Sequence, residues 1–411
     1  MTDLPPLVAE QRAAAERVMG RCRELASISA NPDQISRFYL TPEHHRANAL
    51  VAQWMQAAGM ATHVDPVGSI VGLGGDPHGP RLALGSHLDT IPDAGAYDGI
   101  LGVLVAIEAA AQCLDLPFAL EILGFGEEEG VRFGTTLISS KARAGAWDAG
   151  WLQLEDSEGV SLYDAMQAFG LDPERANDAL GTVPELGYVE VHIEQGPILE
   201  ARELPLGVVT AIAGAQRFTV TFTGLAGHAG TVPMALRQDA LVVAAAGVTR
   251  AQALAVELDV VATVGALQVE PGAVNVIPGA VTLTLDVRSA DDAKIETFMD
   301  AWRAEVQQHA RAGRVAMQLQ QIHAAPAVAC AAHLQDRLLA SCTGIGAPAF
   351  SLPSGAGHDA MAMAQLCDVG MLFLRCDGGL SHHPDERVSL EDVAWTLAAL
   401  KQFLTDTAKT L

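Results

Sequence analysis

The sequence predicts a two-part α/β protein, in which a largely parallel sheet flanked by helices is interrupted by an α+β insert. Three observations predict it. Short apolar runs alternate with helical stretches early in the chain and again near its end. Between residues 213 and 330 the strand-like segments instead alternate apolar and polar residues, as half-buried strands do. A length of 411 residues also exceeds what one compact core usually holds.

The elements follow in order. Residues 41–58 read as a helix: Thr41 can cap it, Pro42 suits its first position and Gly59 can end it. Ala47, Leu50, Val51, Trp54, Met55 and Ala58 form its apolar side. Residues 70–73 and 82–85 read as strands, 99–113 as a helix of small residues, and 118–125 as a buried strand. Ligands of such sheets gather beyond the carboxyl ends of the strands, so chemistry is expected just after Leu84 and after Phe125. The insert reads as a strand through Phe218, Val220 and Phe222, a helix over 235–254, strands at 260–264 and 281–287, a helix over 292–310, and a strand through Val315, Met317 and Leu319. That β-α-β-β-α-β order is the pattern of a ferredoxin-like sandwich. A strand at 370–374 and a helix over 390–404 resume the first pattern. The expected domains are therefore 1–212 with 331–411, and 213–330.

Composition narrows the function classes. A formal net charge of -24 repels phosphate backbones and anionic lipid surfaces, which argues against nucleic acid and membrane as partners. Six scattered cysteines without a Cys-x-x-Cys pair suit a reducing compartment. The N-terminus has no signal-peptide pattern, and no uncharged apolar stretch reads as long enough to span a bilayer. The expectation is a cytoplasmic globular protein.

Three early segments carry chemistry. In Gly85-Ser86-His87-Leu88-Asp89-Thr90, His87 can ligate a metal while Asp89 accepts its other ring N–H. By itself a His-x-Asp is weak evidence and reads more readily as an ordinary hydrogen-bonded loop histidine. Asp98, in Tyr97-Asp98-Gly99, is either a helix N-cap or a carboxylate whose two oxygens each hold one metal, and spacing leaves both open. Glu127, Glu128 and Glu129 follow a buried strand, where three carboxylates repel one another and lose hydration. A bound cation is the natural counterweight, with one carboxylate ligating and its neighbour taking a proton from water. His192 and the pair His382-His383 add donors further on. Histidine and carboxylate without cysteine suit zinc or manganese.

Together these motifs resemble the carbamoylase and allantoate amidohydrolase branch of the zinc-dependent M20 peptidase-like family. The likeness is carried by residues 85–90, 97–99, 128–133, 192–197, 227–230, 275–278, 286–289, 354–359 and 381–386, in that order. It implies the phosphorylase/hydrolase-like metallopeptidase fold for the catalytic domain, with the insert as a lid and dimerisation domain. It implies two divalent ions per subunit, Zn2+ foremost with Mn2+ or Co2+ as alternatives, bridged by Asp98. His87 and His192 would complete one ion, Glu129 and His382 the other. His382 is preferred to His383 because Ser381, His382, Pro384 and Glu386 fit the pattern Ser-His-x-Pro-x-Glu. Glu128 would be the general base and His228 the stabiliser of the oxyanion. Arg288 would clamp a substrate carboxylate, with Gln195, Gln216, Arg217, Asn275 and His358 as further substrate contacts. Glu127 acquires no role.

The resemblance implies hydrolysis of a carbamoyl or ureido C–N bond in a small carboxylate-bearing molecule, with allantoate the leading substrate. N-carbamoyl-L-amino acids or N-carbamoyl-β-alanine are the first alternative, and an aminoacylase or dipeptidase activity a more distant one. A non-catalytic metal-binding protein is the competing class, against which an intact Glu128 speaks. A homodimer formed through the insert is expected.

Overall fold

The computed structural model describes residues 8–113 and 115–411. It divides into two compact units, one leaving the chain at Thr210 and resuming at Cys330, the other formed by Ala211–Ala329.

The first unit is built on a mixed sheet. Its centre is four parallel strands in the order Ala119–Phe125, Arg81–His87, Tyr188–Ile193 and Val369–Leu374. Every residue of Ala119–Phe125, Tyr188–Ile193 and Val369–Leu374 is buried, the mark of strands covered on both faces. Antiparallel wings extend this centre, Ile70–Gly75 and Ala61–Val64 on one side and Leu206–Ile212 on the other. The sheet is thus less parallel than the sequence suggests, because the connections to the wings are too short for a crossover helix.

Helix Pro42–Ala57 begins as expected, with the Thr41 hydroxyl accepting from His44 N–H and proline at its first turn. Helix Ile100–Ala111 is buried along nearly its whole length, which is why its sequence shows no polar stripe. Three further helices, Ala9–Ala26, Ala332–Gly344 and Leu390–Lys409, join the same core. The first two were not expected from sequence. Ala9–Ala26 alternates charge and alanine, and its apolar stripe of Ala14, Ala15, Val18, Cys22 and Leu25 is thin.

The second unit is a sandwich of two helices on an antiparallel sheet. Gly214–Thr223 lies between Ala280–Ser289 and Ala316–Ala325, and Val261–Thr263 and Leu267–Glu270 pair with the far side of Ala280–Ser289. This is the ferredoxin-like strand order, with its second strand broken in two. Phe218, Val220, Phe222, Val281, Leu283, Leu285 and Val287 meet helices Ala240–Leu258 and Asp292–Gly313 in one core around Trp302. Helix Ala240–Leu258 is long and apolar enough to cross a membrane by length and composition, although Arg250 and Glu257 keep it from being an uncharged stretch. Here one face of it packs on the sheet, and Arg250, midway along it, pairs with Glu305 of the neighbouring helix.

Candidate metal centre

The four parallel central strands end side by side, so the residues after them converge. His87 is the last residue of Arg81–His87, His192 lies one residue from the end of Tyr188–Ile193, and Glu127–Glu129 follow Ala119–Phe125. Asp98 precedes helix Ile100–Ala111 but does not cap it. Gly99 is the N-cap residue, with positive φ and no side-chain cap, which leaves the Asp98 carboxylate free to turn towards the histidines. Glycine is required there, since a Cβ at position 99 would collide with the His87 ring.

The two oxygens of Asp98 face two sets of donors. Oδ1 lies 3.1 Å from His192 Nε2 and 3.7 Å from His87 Nε2. Oδ2 lies 3.3 Å from His382 Nε2, which is itself 3.3 Å from Glu129 Oε1. Each set has ligating atoms within 4.8 Å of one another, the spacing that one cation can gather. The residues fit a metal on a further count. Asp98 Oδ1 and His192 Nε2 are buried and close, yet neither makes a hydrogen bond of acceptable geometry. Buried polar atoms left so are rare unless something else satisfies them.

The rings of the first set are fixed from behind. His87 Nδ1 lies 3.0 Å from the main-chain carbonyl of Asp89, and His192 Nδ1 lies 2.9 Å from that of Ile193, so both present Nε2 to Asp98. The expected Asp89 bond to His87 is therefore made by the backbone. The Asp89 carboxylate instead accepts the main-chain N–H groups of Glu128 and Glu129, at 3.2 and 3.3 Å, and so holds the glutamate turn.

Charge is arranged unevenly. Burial would push the Asp98 carboxyl up, but His192, His382 and His87 hold it well below the usual carboxylate range. Burial and the nearby Glu129, Asp359 and Asp89 push Glu128 well above its ordinary value, against the pull of His87. Hydrogen bonding to Asp98 and Glu129 raises His382 to about 10. Such an acidic nest with too few cations is what a divalent ion would relieve.

Glu127 now has a place. It is buried, its Oε1 accepts Phe133 N–H at 2.7 Å, and its backbone has positive φ. It shapes the turn that presents Glu128 and Glu129. Gln195 and His382 also adopt positive φ, so three residues of this site hold a strained backbone of the kind that clusters at functional sites.

Gln195 and His358, two of the expected substrate contacts, both lie beside the donor sets. The Gln195 amide donates to Asp98 Oδ2 at 2.9 Å. His358 is fully buried, with Nε2 2.8 Å from Ser354 Oγ and its ring edge-on to His192 at 4.5 Å. Its ring packs between His192 and Phe373. Sequence reasoning missed Arg37, whose buried guanidinium donates to the carbonyls of Leu88 and Leu25 and braces the loop after His87. Nothing in its local sequence signals that role.

The remaining candidates belong to the second unit. Arg217 and Asp286 are cross-strand partners joined at 2.8 Å, and Arg288 grips the same Asp286 with two nitrogens at 2.9 and 3.1 Å. Gln216 is the cross-strand neighbour of Val287. His228 and Asn275 meet on the short ribbon of Gly227–His228 and Val276–Ile277, where Ala229 N–H donates to the Asn275 carbonyl. Both are exposed.

A model of peptidase family M20/M25/M40 matches residues 83–406. The chain belongs to this family. It is 41% identical over 431 residues to a probable allantoate deiminase of Oryza sativa subsp. japonica, covering 94% of this chain and 87% of that protein. It is 37% identical over 393 residues to an N-carbamoyl-L-amino-acid amidohydrolase of Paenarthrobacter aurescens, covering 93% and 95%. Among solved structures it resembles a hydantoinase/carbamoylase family amidase from Burkholderia multivorans, with TM-score 0.90, 31% identity, and coverage of 96% and 98%.

Proposed function

We propose that this family member hydrolyses a carbamoyl or ureido C–N bond in a small carboxylate-bearing substrate, with allantoate the leading one. The observation that carries this reading is Asp98, whose two oxygens face separate donor sets with Glu128 alongside. His87, His192 and Asp98 would hold one divalent cation, and Asp98, Glu129 and His382 a second. When bound, such ions lower the pKa of water and polarise a carbonyl oxygen, and Zn2+, Mn2+ and Co2+ all suit this donor set.

The chain's own residues do the rest. Glu128 takes a proton from the attacking water and returns it to the leaving nitrogen, a role for which its burial and raised proton affinity suit it. Arg288 is assigned to the substrate carboxylate, since a planar guanidinium matches it with two hydrogen bonds and Asp286 already holds the fork in position. His228 is assigned to the developing oxyanion, with its Nδ1 occupied by the N–H of Gly230 at 3.0 Å and Nε2 left to donate. The insert is read as a lid and as the surface of a homodimer. The exposed Val242 and Val256 on helix Ala240–Leu258 favour a second copy there, and sedimentation at micromolar concentration tests it.

The names of the relatives favour allantoate and N-carbamoyl-L-amino acids about equally, so the deciding experiment is a substrate panel on metal-reconstituted enzyme. Allantoate should show the highest kcat/KM, ahead of N-carbamoyl-L-amino acids and N-carbamoyl-β-alanine. Preference for a carbamoyl amino acid would replace the substrate while keeping the chemistry, and silence on the whole panel would overturn the reading.

A further inference from the structure

The two halves of the centre are not built alike. In the first, His87, His192 and Asp98 are all buried, and both rings are pinned by main-chain carbonyls. In the second, His382 stands on a loop with its side chain 49% exposed and its backbone at positive φ. Both sets are gathered, but one is buried and pinned whereas the other stands partly open to water.

The hydrogen bonds around Asp98 sharpen the difference. Oδ1 faces His192 and His87 but makes no hydrogen bond of acceptable geometry, whereas Oδ2 accepts from both Gln195 Nε2 and Ser381 Oγ, each at 2.9 Å. A carboxylate oxygen offers two lone-pair sites; these two donors fill them, with His382 Nε2 a further 3.3 Å neighbour, so a cation arriving at Oδ2 must displace one of the donors. Gln195 is tied to both Asp98 and Ser381, with its second bond, to Ser381 Oγ, at 3.2 Å. Ser381 has another acceptor ready, because its hydroxyl lies 3.1 Å from Glu386 Oε2. Glu386 is itself fixed, its Oε1 accepting the main-chain N–H groups of Tyr97 and Asp98 at 2.9 and 3.1 Å.

We propose that the two ions load in order, the His87–His192 side first, and that the Ser381 hydroxyl is a latch on the second. With only the first ion bound, the hydroxyl proton points to Asp98 Oδ2. With Asp98 Oδ2 engaged in holding a second cation, the Ser381 hydroxyl would turn to Glu386 Oε2. No proton leaves the pair and no bond other than the hydrogen bond changes. Ser381 and Glu386 are positioning residues that set how readily the second ion enters. The inference rests on the two-ion reading given above.

The test is a chelator-buffered Zn2+ titration of the metal-free full chain, followed by bound metal and repeated with Co2+ by its visible absorption. Wild type should bind two ions in steps at least about tenfold apart. Ser381→Ala removes the competing donor and should tighten the second step by about tenfold, leaving the first unchanged. Glu386→Gln keeps the Oε1 acceptor but can place an amide N–H towards Ser381, so the hydroxyl has nowhere to turn and the second step should weaken. In the Ser381→Ala background, Glu386→Gln should then have no effect on the second step. Weaker second binding in Ser381→Ala, equal shifts in both steps, or a Glu386→Gln effect that survives loss of the hydroxyl would each overturn the latch. Fewer than two ions at saturation would overturn the two-ion reading itself, and the latch with it.

Discussion

In the sheet-based unit, the chemically active side chains are buried at strand ends, whereas the polar candidates of the insert lie on a sheet face or a ribbon open to water. Burial makes the first set expensive. Asp98, Glu128, His87 and His192 lose hydration, and only compensating charges make such a cluster tolerable. The insert's Arg217, Arg288 and Asp286 sit in a solvated ion-pair cluster that costs little and on its own signals little. The lesson is that burial of charge, more than its presence, separates a site from a surface.

Four changes break or sharpen this comparison. Asp98→Ala should have the largest effect, removing the shared ligand of both donor sets. Metal content should fall to near zero and turnover by more than about 10^4-fold. Retention of both ions would show that Asp98 bridges nothing. Arg288→Ala should lower kcat/KM for a carboxylate substrate by roughly 10^2-fold while leaving metal content intact. An unchanged value would reduce that arginine to a surface ion pair. Trp302→Ala removes the largest buried side chain of the insert, whose Nε1 donates to the Gly247 carbonyl, and should cost about 3–5 kcal/mol of the insert's stability in denaturant titration. Zn2+ stoichiometry should survive it if the ligands belong to the other unit alone. His383→Ala should do least, changing kcat by less than about twofold, because this ring is exposed and its Nδ1 only accepts from Asp385 N–H. A loss comparable to that of His382→Ala would reverse the choice between the two histidines.

How much was legible in the sequence follows the same division. The strands ending at His87 and Phe125 were readable because buried parallel strands are continuous apolar runs, and the chemistry fell directly after them. The insert's order was readable from period-two alternation through Phe218–Phe222 and Val281–Val287. Its broken second strand was not, since Val261–Thr263 and Leu267–Glu270 are short and mostly exposed and leave little pattern. Spacing could not decide whether Asp98 caps a helix; Gly99, whose positive φ takes over the N-cap position, excludes the cap and leaves the carboxylate facing both donor sets. The contact of His358 with Ser354 and the main-chain contact of Asp89 were beyond sequence, because each depends on which atom of a known residue points where.

The central claim is that Glu128 moves the proton at a centre the other residues assemble. Glu128→Gln, assayed for turnover and metal content in the same preparation, tests it most directly. The account predicts two ions per chain and a fall in kcat of about 10^2- to 10^4-fold. Near-normal turnover with both ions bound would contradict it.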